Sequence, residues 1–144
     1  MRMYSRLVTV FVAVAGLATL TPVRAQQDVR LIARVPFEFT VGDTSLPRDT
    51  YYLSRMSDHR EMVLLRGDRT GVFVRTMEER VRRDGATPSL LFHRYGDRYF
   101  LREIRWEETA RLDLPETKAE RAAAEGRTDR AAALMKKVTI PAGR

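Results

Sequence analysis

Two strand-forming runs separated only by Gly96 and Asp97 constrain this chain more than any other feature of its sequence. The runs, residues 89–95 and 98–101, are rich in the aromatic and branched side chains that favour strands. A two-residue loop that contains glycine closes neighbouring antiparallel strands into a tight turn. The sequence therefore predicts a β-hairpin over this region.

A tight loop also fixes which residues lie opposite each other across the hairpin. The predicted pairs are Tyr95 with Arg98, His93 with Phe100, and Phe92 with Leu101. Strict alternation along the second strand predicts two faces. One face would carry Phe100, Ile104 and Trp106, and the other would carry Tyr99 and Leu101. Because both faces carry bulk, we expect the hairpin to be central in its sheet and covered on both sides.

Further strands are predicted from residue 29 to about residue 106. Apolar side chains alternate with polar ones from Val35 to Val41, which is the period of a half-buried strand. Gly67 and Gly71 bracket a polar turn between two apolar runs and indicate a second hairpin. This pattern favours a mainly β fold, either a small antiparallel β-sandwich or an open barrel.

The sequence changes in character after Asp113, where alanine and charged residues replace the strand pattern. Asp113 and Glu116 have capping-box spacing, and Pro115 suits a first helical turn. Gly126 would divide this helix from a second one. The apolar stripe predicted for the second helix consists of Ala131, Leu134, Met135 and Val138. We therefore expect a C-terminal helical segment that packs on the domain or docks a partner.

The N-terminal residues have the pattern of a secretory signal peptide. Arg2 and Arg6 precede an apolar run over residues 7–20, and an A-x-A-like end follows at Ala25. The apolar run is shorter than the roughly 20 residues that cross a bilayer. We expect an exported protein, periplasmic or extracellular, with no transmembrane span after cleavage. The predicted division is a signal peptide at residues 1–25, a β-rich domain at 26–112 and a helical tail at 113–144.

The net charge of the chain after removal of the signal peptide restricts the kinds of partner that it can bind. Removal of Arg2, Arg6 and Arg24 lowers the number of basic residues from 26 to 23, against 19 acids, which leaves a net charge of +4. The arginines are interleaved with acids along the sequence, whereas nucleic-acid binders concentrate basic residues in one patch. We expect no nucleic-acid binding, while attraction to anionic polymers of the envelope stays open.

The chain has no cysteine, which excludes thiol nucleophiles, disulfides and cysteine-bound metals. A glycine-rich phosphate loop and a nucleophile elbow are also absent from the sequence. His59, Glu61 and His93 are the best set of metal ligands, and a metal-dependent hydrolase built on them is the alternative function. The sequence favours a protein that is not an enzyme and has no cofactor.

Two blocks resemble a family of small exported bacterial proteins from Acidobacteria-like genomes, whose function is unknown. Residues 35–42 read V-P-F-E-F-T-V-G and residues 46–51 read L-P-R-D-T-Y, similar to the family's V-P-F-x-F-x-V-G and L-P-A-G-x-Y. Residues 92–101, F-H-R-Y-G-D-R-Y-F-L, are similar to its second block. The resemblance implies a β-rich exported protein and supplies no catalytic residue.

The tip of the hairpin is the candidate binding surface. Aromatic rings beside arginine side chains bind sugars, anionic polymers and proteins, and the same residue types also fix strand register. The candidate residues are His93, Arg94, Tyr95, Asp97, Arg98 and Tyr99. We therefore predict an envelope or extracellular interaction or structural module, whose partner is an envelope protein or an anionic or sugar polymer.

Overall fold

The computed structural model describes residues 30–56, 58–83, 85–126 and 135–144, and the predicted signal peptide lies outside these ranges. The described residues form strands and one helix, in this order: β1 (Arg30–Val35), β2 (Phe39–Val41), β3 (Thr44–Leu46), β4 (Asp49–Arg55), β5 (Met62–Arg66), β6 (Gly71–Arg75), β7 (Met77–Arg80), β8 (Ser89–Tyr95), β9 (Arg98–Glu107), β10 (Ala110–Asp113), α1 (Lys118–Glu125) and β11 (Lys136–Gly143). The predicted class, mainly β with a helical segment near the C-terminus, is confirmed.

The strands form one nearly closed, barrel-like sheet. Its order is β3-β2-β9-β8-β11-β1-β4-β5-β6, and β10 pairs with β9 and with β7 beside this path. Neighbours are antiparallel except β2 and β9. We call β1, β4, β5 and β6 the first wall and β8, β9, β10 and β7 the second wall, with β11 joining β1 to β8. No described helix is long and apolar enough to cross a membrane.

The core follows from alternation along the strands. In β1 the side chains of Leu31, Ala33 and Val35 point inward and are almost completely buried, while the residues between them are exposed. Each large apolar side chain buried in this way contributes roughly 1.5–3 kcal/mol. Because the chain has no disulfide, this packing is the main source of its stability.

The predicted pairing of the hairpin is confirmed. Tyr95 lies opposite Arg98, and the other two predicted pairs are also present. Gly96 has φ of 63°, and no described residue other than glycine has positive φ. Positive φ at the first loop residue alone is the geometry of a type II′ turn, which requires glycine there. The loop sequence thus explains the local geometry.

The predicted division of faces along β9 is wrong beyond Leu101. Phe92 pairs with Leu101 but Leu91 pairs with Glu103, so β9 carries one extra residue, a β-bulge. A bulge shifts the alternation by one position. Leu101, Ile104 and Trp106 consequently share the core, and Phe100 is buried on the opposite face. Both faces of the hairpin are covered, as expected.

The single strand predicted from Val35 to Val41 is also wrong. β1 ends at Val35 in the first wall, and β2 begins at Phe39 beside β9. Pro36 between them has no backbone N–H to donate to a ladder. The side chain of Phe37 instead stacks on Tyr99, with ring centroids 3.9 Å apart. The alternation of apolar and polar side chains is present, but its residues belong to two strands in different parts of the sheet.

The tail predicted to be helical over residues 113–144 is helical only in part. α1 is capped by Thr117, whose hydroxyl accepts from the N–H of Glu120, and not by Asp113. Asp113 ends β10, and the N–H of Leu114 donates to Arg102, so the chain is still tied to the sheet there.

The last described segment is a strand, where a second helix was predicted. Val138 lies in β11 opposite Phe92, and Met135 precedes this strand, while residues 127–134 lie outside the described ranges. Val138, Ile140 and Ala142 alternate inward, and β11 receives backbone hydrogen bonds from β8 on one side and β1 on the other. The segment beyond residue 135 therefore belongs to the sheet, not to a separate tail.

Candidate functional site

The six candidate residues of the hairpin divide between its two faces. Arg94 and Tyr99 share the face of Phe92, and the Arg94 guanidinium lies 5.3 Å from the Tyr99 ring. His93 and Tyr95 lie on the other face. There the guanidinium of Arg98 lies 5.1 Å from the ring of Phe100. Asp97 is fully exposed at the turn, 3.8 Å from Arg94. Most of these side chains thus contact one another or the core, and their binding of a partner stays a prediction.

A buried carboxylate from α1 completes the outer face of the hairpin. Glu120 is only 2% exposed, and its Oε1 lies 3.1 Å from Nδ1 of His93 and 3.3 Å from the hydroxyl of Tyr95. Its Oε2 accepts from Arg102 at 3.4 Å. Carboxylates are buried in proteins only when such partners replace water. These four side chains, which we call the Glu120 cluster, hold α1 against the hairpin.

The hydrogen-bond partners and the burial of the Glu120 cluster indicate that it anchors α1 to the hairpin and does not form a site open to substrate. Both carboxylate oxygens have partners, and the carboxylate itself is almost completely covered. Burial raises the pKa of Tyr95, and the negative charge of Glu120 raises it further. At neutral pH the hydroxyl of Tyr95 is therefore protonated, and it donates a hydrogen bond to Oε1 of Glu120. The sequence gives no indication of the role of Glu120 beyond its three-residue spacing from Thr117.

The alternative metal site is not assembled. His59 lies between β4 and β5, and its carbonyl accepts from the N–H of Met62. His93 lies on β8, separated from β4 in the sheet by β11 and β1, and it is occupied by Glu120. Within the described part of the chain, no three histidine or carboxylate side chains form a group that could hold a metal ion.

A different surface emerges on the outside of the first wall. Four exposed arginines point outward there, in register with exposed apolar side chains. We call this surface the arginine face, and it comprises Arg30, Arg34, Arg66, Arg75, Ile32, Tyr52 and Phe73. The other outward positions of the four strands hold Thr50, Ser54, Met62, Leu64 and Gly71. None of these positions carries an acid, so the positive charge of the face is not neutralised by its own strands.

The second wall shows the opposite arrangement. Arg111 of β10 lies within ion-pair distance of Glu79, Glu103 and Asp113, and Glu103 also contacts Arg105. In the described ranges, by contrast, no carboxylate lies within ion-pair distance of Arg30, Arg34, Arg66 or Arg75. The outward positions of the first wall thus carry uncompensated arginines, whereas Arg105 and Arg111 of the second wall are compensated by carboxylates.

Part of the arginine face is indicated by the alternation of residues along β1. Arg30, Ile32 and Arg34 alternate with buried residues, so they must share the outer face of β1. The contributions of Arg66 and Arg75 depend on which strands become neighbours, which is a non-local property.

Comparisons of the chain with family models, with curated proteins and with solved structures found no match. Its function is therefore inferred from the charges, contacts and exposed side chains of the fold itself.

Proposed function

We propose that the protein is an exported, non-enzymatic binding domain that holds an anionic partner of the envelope or extracellular space on the arginine face. The observation that carries this proposal is that four exposed arginines share one face of the sheet and have no carboxylate partner among the described residues. Arginine binds carboxylates, sulfates and phosphates through paired N–H donors. A surface of one charge sign also attracts partners of the opposite sign before contact.

The way in which the buried Glu120 is paired supports a role in binding without catalysis. Catalysis by acid and base needs a titratable group that reaches the substrate. The most buried carboxylate of the described residues, Glu120, is instead covered and paired with His93, Tyr95 and Arg102. The interpretation as a module is also consistent with the family resemblance, and membership of that exported family is part of the proposal.

Binding of a soluble anionic polymer tests the proposal. Protein purified after export would be titrated calorimetrically with dextran sulfate, with neutral dextran as the control ligand. We expect binding to dextran sulfate alone, weakening as salt is raised because exposed charges are screened. The test variant replaces Arg34, Arg66 and Arg75 with glutamine. The matched control replaces Arg83, Arg121 and Arg144, each of which is already paired with a glutamate.

The two triple variants have the same net charge, so only the position of the lost arginines differs. We expect the first to lose most of the affinity and the second to retain it. Equal losses of affinity in the two variants would show that binding depends on net charge alone. Absence of binding by the wild-type protein would overturn the proposal.

A further inference from the structure

The arginine face combines charge with exposed apolar surface. Ile32 is 38% exposed, Tyr52 is 44% exposed and Phe73 is 56% exposed. Ile32 lies directly opposite Tyr52 in the ladder, and Tyr52 lies opposite Arg66. Apolar side chains and arginines thus alternate as close neighbours across several strands, so a partner must accept both kinds of contact at once.

The size of the face sets the dimensions of that partner. Arg30 and Arg34 are four residues apart on β1, a distance of about 13 Å along a strand. Arg75 lies on β6, three strands away from β1, which is about 14 Å across the sheet. The cations therefore surround an apolar centre over an area of several lipid headgroups and are too far apart to grip a single small anion.

The composition of the face disfavours a sugar polymer. The side chains point outward from a nearly closed barrel, and cavities reach the face at its edges, beside Arg34 and Thr50 and beside Phe73 and Arg75. Its outward positions include no asparagine, glutamine, aspartate or glutamate, the usual partners of sugar hydroxyls, and only Thr50 and Ser54 supply side-chain hydroxyls besides Tyr52. A flat anionic surface with an apolar interior satisfies both the arginines and the rings.

We infer that the arginine face docks on a bilayer that contains anionic phospholipids, with Phe73 and Tyr52 entering the headgroup layer. The inference rests on the proposed function and narrows its anionic partner to a lipid surface. Aromatic side chains concentrate at the level of the headgroups, and basic residues near an anionic membrane each strengthen binding about fivefold. The contact is peripheral and adds no membrane-spanning segment.

Vesicle sedimentation tests the inference. The exported protein would be mixed with vesicles of equal parts phosphatidylglycerol and phosphatidylcholine, and with vesicles of phosphatidylcholine alone. We expect binding to the anionic vesicles only. Replacement of Arg34, Arg66 and Arg75 by glutamine should lower the partition coefficient about a hundredfold. The control variant at Arg83, Arg121 and Arg144 should lower it much less.

A second pair of variants tests the apolar contact. Phe73→Ser should lower vesicle binding about tenfold. Met77→Ser removes a side chain that is 62% exposed on β7, outside the arginine face, and should leave vesicle binding unchanged. Phe73→Trp should give an emission that shifts to shorter wavelength with anionic vesicles, while the wild-type Trp106, which is buried, should not respond.

The outcomes separate this inference from the proposed function. Binding to dextran sulfate without binding to anionic vesicles would overturn the lipid inference and leave the binding-domain proposal standing. Binding to neither would overturn both. Vesicle binding that is equally weakened by Phe73→Ser and Met77→Ser, with no emission shift for Phe73→Trp, would also overturn insertion at this face.

Discussion

His93 Nδ1 lies 3.1 Å from Oε1 of Glu120, which joins strand β8 to helix α1 across 27 positions of sequence. The carboxylate is 2% exposed, and Tyr95 and Arg102 complete its partners. Glu120 is the buried residue of α1, so this polar cluster attaches the helix to the sheet.

Removal of this carboxylate should destabilise the fold. Glu120→Ala leaves the guanidinium of Arg102 and the hydroxyl of Tyr95 without their shared acceptor, and we expect a loss of about 2–3 kcal/mol. Urea unfolding followed by circular dichroism measures the change. Glu116→Ala, at an exposed carboxylate that is 4.0 Å from Arg121, should cost no more than about 0.5 kcal/mol. Similar losses for the two variants would contradict the anchoring role.

Tyr95 should make the protein sensitive to alkali. Burial and then the charge of Glu120 raise the pKa of Tyr95 above its ordinary value of 10.0. The unfolded tyrosine therefore loses its proton first. The stability that the neutral hydroxyl contributes is complete below about pH 10 and is lost as pH rises through the folded-state pKa.

We therefore expect the free energy of unfolding to fall as pH rises above about 10, and to fall less in Tyr95→Phe. Burial also raises the pKa of Tyr51, so part of the decline should persist in that variant. Tyr52→Phe, at an exposed ring, serves as the control. A decline identical in Tyr95→Phe and the wild-type protein would show that Tyr95 does not contribute to it.

The hairpin turn gives a prediction about backbone geometry. Gly96 has φ of 63°, a conformation that costs a residue with a Cβ atom roughly 1 kcal/mol. Gly96→Ala should therefore destabilise the fold by about that amount in thermal or urea unfolding. At Gly71, which has no positive φ, an added Cβ would come no closer than 3.7 Å to its nearest neighbour. Gly71→Ala should be tolerated, and an equal cost at both positions would refute the type II′ assignment.

Local features of the fold could be predicted from the sequence. The pairing of Tyr95 with Arg98 follows from a two-residue loop, because the loop alone sets the register of the strands it joins. The hairpin that pairs Arg66 with Gly71 is predicted from the polar turn that Gly67 and Gly71 bracket. Such features need no knowledge of distant parts of the chain.

Features that depend on distant contacts could not be predicted. The bulge near Arg102 puts Ile104 and Trp106 on the face of Leu101 instead of the face of Phe100, and no residue type in β9 marks it. Val138 fits a helical stripe as well as a strand, and only its two neighbours in the sheet decide between them. Strand β7 is exposed along its whole length, so it carries no apolar alternation, and it is held by pairing with β10.

The candidate site illustrates the same limit. Arginines and acids are interleaved along the sequence, yet the fold places Arg66 and Arg75 on the same wall as Arg30 and Arg34 and gathers carboxylates around Arg111. The order of the strands, which cannot be predicted from one sequence, places the unpaired and the paired arginines in different parts of the sheet. The hairpin residues that the sequence favoured are instead largely engaged with one another and with Glu120.

The most direct test of the account is to map where an anion touches the folded protein. Backbone amide chemical shifts of isotope-labelled protein would be followed by NMR during titration with a short dextran sulfate oligomer. We expect the largest shifts to cluster on β1, β4, β5 and β6, around Arg34, Arg66 and Arg75. Shifts centred on the β8–β9 hairpin, or spread evenly over both walls, would contradict it.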